Sequence, residues 1–184
     1  MALAVHCLHT IGVRSRVSQA LLDNLAVAWS TLDRARPREE TGVPALMEAL
    51  DTWMRWAMRI DEELVDALGP DYTTARRERA GGRPIPGLRH AHELTERGGH
   101  PLGQLVTVSA GSPPLFYDAI WKRYEELPSP QDDPGAAQAY REHLASRPAR
   151  RPAAEVTTFL LTWAVDGPGK RIDHDARSPR LIDR

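Results

Sequence analysis

The sequence predicts an all-α fold: two long antiparallel helices with three or four shorter ones packed across them. Two observations carry this expectation. Apolar residues recur at spacings of four and three along Val17, Leu21, Leu25, Trp29 and Leu32. The rhythm returns along Leu46, Leu50, Trp53, Ala57, Ile60, Leu64 and Leu68. Glycine and proline fall at the ends of these stripes, as Pro37, Gly42-Val43-Pro44, Gly69-Pro70 and Gly98-Gly99. The five tryptophans sit on such stripes and read as core.

Taken in order, residues 1–13 fit a short helix ending at Gly12. The first long helix starts near Ser15 or Ser18, either of which can serve as N-cap. A charged loop around Pro37 and Gly42 leads to the second, with Pro44 suited to its first turn. Met47, Met54, Met58 and Val65 add another apolar row, so this helix is expected to be covered on two sides. Asp61, Glu62, Glu63 and Asp66 near its end read as a solvated face. Residues 69–85 read as an exposed, mobile loop.

Pro86 opens a third helix running to Arg97, with Leu88, Ala91 and Thr95 inward and His92 beside them. Arg89 and Glu93, and Glu93 and Arg97, are spaced as surface ion pairs. Leu105, Val106 and Val108 suit either a helix or a short extended piece. Phe116, Ile120, Tyr124 and Leu127 share a helical face, so a helix is expected after Pro113-Pro114. Two more follow, one with Ala137, Tyr140 and Leu144 inward. The other starts at Pro152 and carries Val156, Phe159, Leu160 and Trp163. Residues 1–166 thus form a single helical domain, and 167–184 a flexible tail.

The chain has 184 residues and a formal charge of -1, from 24 basic and 25 acidic side chains. No global positive field draws it to nucleic acid or an anionic membrane; such binding needs a local patch. The one cysteine, Cys7, excludes a disulfide framework and suits a reducing compartment. The opening residues lack a basic leader segment, and no apolar run reaches the length of about 18 residues expected of a membrane span. A cytoplasmic protein without a membrane partner is expected.

The stretch PGLRHAHELTERGGHPL, residues 86–102, holds His90, His92 and His100 among arginines. An imidazole can act as base near neutral pH, and a guanidinium can clamp phosphate. His100 with Arg89 or Arg97 is therefore a candidate pair of base and phosphate-binding cation, with His92 alongside. The plainer reading makes Arg89 and Arg97 surface partners of Glu93. His92 and Glu96 lie one helical turn apart and could share a metal ion, but no HExxH occurs, and neither metal nor cofactor is assigned. Cys7 beside His6 reads as packing, and GPGK at 167–170 as a turn without the rest of a phosphate loop.

GLRHAHELTERGGH, following a long helix and a basic loop, resembles the motif region of HEPN-type helical domains. WKRYEELP and AYREHLASRPAR resemble actinobacterial proteins that carry GLRYARN-like segments. Together the likeness spans roughly residues 15 to 165. In HEPN domains an arginine, a polar residue and a histidine four to six positions after the arginine cut RNA without metal, paired across a dimer. Here His92 stands at the arginine's place, Glu93 is its polar neighbour, and His100 follows His92 by eight. Arg97 precedes His100 by three and Arg89 by eleven, so no pair keeps the family spacing. The resemblance thus implies a homodimer with a degenerate motif, binding RNA or a protein partner without catalysis. The alternatives are an active metal-independent endoribonuclease and a structural protein with no site.

Overall fold

A computed structural model describes residues 17–35, 43–99, 101–109, 115–128 and 133–166. The short helix expected over 1–13, Cys7, the charged loop at 36–42, His100 and the tail from 167 lie outside the described residues. Those that are described form six α-helices and one small antiparallel hairpin, so the helical bundle expected from the stripes is the observed architecture.

Helix α1, Gln19–Arg34, buries Leu22, Leu25, Ala28 and Leu32. Its Leu21 end lies beside Glu62 and its Thr31 end beside Ala45, which sets it antiparallel to α2, Val43–Leu68. The α2 helix is the pillar of the core and buries Leu46, Leu50, Trp53, Met54, Ala57, Ile60 and Leu64. The buried indole N–H of Trp53 donates to Thr157 Oγ1 at 2.9 Å, joining α2 to α6. Gly69, at φ 54°, ends α2 in the left-handed region that glycine adopts at little cost.

Pro70 then starts a new helix, α3, Pro70–Glu78, where a mobile loop was expected. Proline at N1 loses no hydrogen bond, and Tyr72 and Ala75 alone turn inward, enough to seat this short polar helix. The following turn is also packed. A Cβ on Gly82 would lie 2.5 Å from the Arg76 carbonyl oxygen, and one on Gly81 2.6 Å from that of Glu155. Helix α4, Ile85–Glu96, ends in a Schellman turn: Gly98, at φ 79°, donates to Thr95 O (2.9 Å) and Gly99 to Leu94 O (2.8 Å).

The helix expected after Pro114 is a strand. β1, Leu102–Ser109, pairs antiparallel with β2, Leu115–Trp121, in the register Val106 to Asp118 and Val108 to Phe116. Apolar residues four apart fit a strand's period of two as well as a helix's. The β-branched run Val106-Thr107-Val108 supplies the extended partner that decides between them. Trp121 is therefore a core tryptophan carried by a strand. A 3₁₀ turn at Tyr124–Glu126 is the only helical piece in that stretch.

Asp133 caps α5, Pro134–His143, accepting from the amides of Gly135 (2.8 Å) and Ala136 (3.2 Å). The α4 and α5 backbones meet at Gly87, where a Cβ would lie 2.7 Å from the Tyr140 nitrogen. Helix α6, Arg150–Asp166, closes the core with Val156, Phe159, Leu160 and Trp163. Arg150 donates from Nη1 and Nη2 to the Leu32 and Ala35 carbonyls, placing a cation at the C-terminus of α1. No described helix is long and apolar enough to cross a membrane.

Candidate functional site

The histidine helix α4 packs beside α2, and between them and α1 lies a cleft of about 490 Å³. His92 and Arg89 both line it, as do Arg55, Arg59, Glu62, Glu93 and Glu96. Two of the four candidate residues are thus brought together. Arg97 sits exposed just past α4 and does not line the cleft, and His100 is outside the described residues. His90 faces the opposite way, buried with its ring 5.5 Å from that of Tyr124 and 6.1 Å from that of Tyr140.

Arg89 was expected on the solvent face, but it reaches across to α2. Its Nη2 donates to Asp61 Oδ2 at 2.8 Å and its Nη1 to Glu62 Oε1 at 3.0 Å. Asp61, read as part of a solvated face, is 0% exposed. It also accepts from Arg76 Nη1 at Oδ2 (2.8 Å) and from the Tyr72 hydroxyl at Oδ1 (2.7 Å). The reason is register: position 61 follows Met54 by seven and Ala57 by four, so it falls on the apolar side of α2. A carboxylate there is tolerable only with charged and hydrogen-bonding partners, which α3 and α4 supply.

These contacts fix the charge states. Burial, then the Asp61 charge and hydrogen bond, push the Tyr72 phenol far above its ordinary range, so it remains a donor. Burial alone would lower the Arg89 guanidinium, but the hydrogen bond and charge of Asp61, then of Glu62, hold it above its usual value. Arg89 is thus a fixed cation already engaged with two carboxylates, not a free phosphate clamp.

His92 points its Nε2 toward Glu96 Oε1 at 3.5 Å, the one-turn neighbour expected from sequence. Its Nδ1 is buried and has no hydrogen-bond partner among the described residues. Among those residues no three His, Cys, Asp or Glu side chains converge to hold a metal ion. Arg55 and Arg59 stand at the cleft edge, 3.5 Å from Asp51 and 3.6 Å from Glu62 and Glu63.

Sequence reasoning missed Tyr72, read Asp61 as solvated and placed Arg76 in an exposed loop. An acid interrupting an apolar row was the available signal. It also missed Trp56, a half-buried ring that lines both this cleft and the groove between α1 and α2. Fold and site together define a helical bundle with a mixed-charge cleft braced by a buried carboxylate. Comparison with known proteins adds nothing further, because no family model, curated protein or solved structure matches this chain.

Proposed function

We propose that this chain is a cytoplasmic, non-catalytic binding protein of HEPN-like kind, working as a homodimer through the face made by α1, α2 and α4. The observation that carries the reading is the charge balance of the cleft. Arg55, Arg59 and Arg89 stand against Glu62, Glu93 and Glu96, three cations to three anions. A two-fold interface brings one patch against itself, and a patch carrying both signs in matching amounts can pair with its own copy.

Apolar surface for the same contact lies next to it. Trp56 joins the cleft to a groove lined by Val27, Ala28, Ala45 and Ala49, where Val27 is 66% exposed. An aromatic anchor with an apolar strip and a charged rim is the usual anatomy of a protein interface. Phosphate suits this cleft poorly, because its three carboxylates repel it and Arg89 is already engaged.

Sedimentation equilibrium across a concentration series tests the reading. A monomer–dimer equilibrium is expected, weakened at least tenfold, about 1.4 kcal/mol, by Arg55→Glu with Arg59→Glu and again by Trp56→Ala. A monomer at every concentration overturns it. RNA cleavage in chelator that disappears in His100→Ala would replace it with the nuclease alternative, and tight RNA binding by a monomer with the RNA-binding one.

A further inference from the structure

Arg76, the second guanidinium on Asp61, lines another cleft of about 610 Å³ between α3, its exit turn and α5. Arg77, Arg83 and His143 line it too, with Asp133 and Glu142 as the acidic members. The lining carries three guanidiniums against two carboxylates. Asp133 accepts from the first amides of α5, and Glu142 accepts from Gln138 Nε2 at 2.8 Å.

The cations are less compensated. Arg77 is exposed, and its side chain has no carboxylate partner among the described residues. Arg83 donates Nε to Arg77 O (3.3 Å) and Nη2 to Glu78 O (3.0 Å), neutral acceptors that hold the side chain without cancelling its charge. Arg76 shares its one carboxylate with Arg89, and its buried Nε has no hydrogen-bond acceptor among the described residues. The close packing of Gly81 and Gly82 fixes the turn that carries Arg83.

The geometry points to a phosphate-binding site in this cleft, separate from the dimer face, in which Arg77 and Arg83 grip a phosphoryl group and Arg76 adds a third cation from the wall. Guanidiniums match phosphate oxygens in planar, two-pronged fashion, and arginines already held in place lose little freedom on binding. The cleft's size falls within the range of small-molecule sites, so the ligand is free phosphate or a small phosphomonoester.

Calorimetric titration of the full chain at constant ionic strength, with inorganic phosphate and with adenosine monophosphate, tests this. Saturable one-to-one binding is expected for at least one of them. It should weaken at least tenfold in Arg77→Gln with Arg83→Gln and stay unchanged in Arg34→Gln, a control on α1 that matches the charge change of Arg77→Gln alone. Because Arg83 also caps α3, the exposed Arg77→Gln alone provides the fold-neutral check, with a loss of threefold or more. Tighter binding of the nucleotide identifies a phosphomonoester as the ligand; equal or tighter binding of inorganic phosphate identifies the free anion. No saturable binding of either up to tens of millimolar, or binding indifferent to the Arg77 and Arg83 changes, overturns the site.

Discussion

Asp61 and Asp118 are both buried, at 0% and 2% exposure, yet the protein surrounds them differently. Asp61 takes three donors within 2.8 Å, from Tyr72, Arg76 and Arg89. Asp118 takes the Ala119 amide at 2.9 Å and has the Arg150 guanidinium Nε 3.5 Å away. Burial pushes the Asp118 carboxyl above its ordinary value, outweighing the charge of Arg150 and the amides of Ala119 and Arg150. Equal burial therefore does not mean equal strain: what matters is how many donors reach the oxygens, and how closely. Asp61 locks three helices together, whereas Asp118 is an under-compensated charge in the middle of β2.

The largest effect should come from removing the better-served acid. Asp61→Ala strands two guanidiniums and a phenol, and should cost about 3–5 kcal/mol of unfolding free energy in urea. A loss under about 1 kcal/mol would break the contrast.

Asp118→Asn should cost less, about 1 kcal/mol at pH below the ordinary carboxylate range, and its signature is pH dependence. Because the folded carboxyl is raised, the folded state binds more protons than the unfolded chain in the window above the ordinary carboxylate pKa of about 4. This group's contribution to stability is complete below that window and is lost as pH rises through the raised folded value. The wild-type advantage over Asp118→Asn should therefore shrink with rising pH across mildly acidic conditions. An advantage that grows would contradict the raised state.

The smallest effect belongs to an exposed pair. Arg59 approaches Glu62 and Glu63 at 3.6 Å with its side chain 58% exposed, so Arg59→Ala should change the unfolding free energy by no more than about 0.5 kcal/mol.

Much of the architecture was readable from the residues. The stripes of α1, α2, α4 and α6 were evident, as was the Gly98-Gly99 stop, because each long helix buries one face and glycine tolerates the turn. Helix α3 was hidden because only Tyr72 and Ala75 face inward, too few to make a stripe. The hairpin was hidden because Phe116 and Ile120 suit either period, and pairing with a distant segment decides. Of the site, His92 and its neighbour Glu96 were legible. Asp61 was not, since it heads an acidic run that looks solvated until its partners on α3 and α4 are in place.

Arg150 secures the end of α1 across 118 and 115 residues of sequence, through Leu32 and Ala35. During synthesis the first long helix must therefore leave the ribosome well before the side chain that ties off its last turn exists. The last turn of α1 thus gains this tether only after helices α2 to α5 have been made.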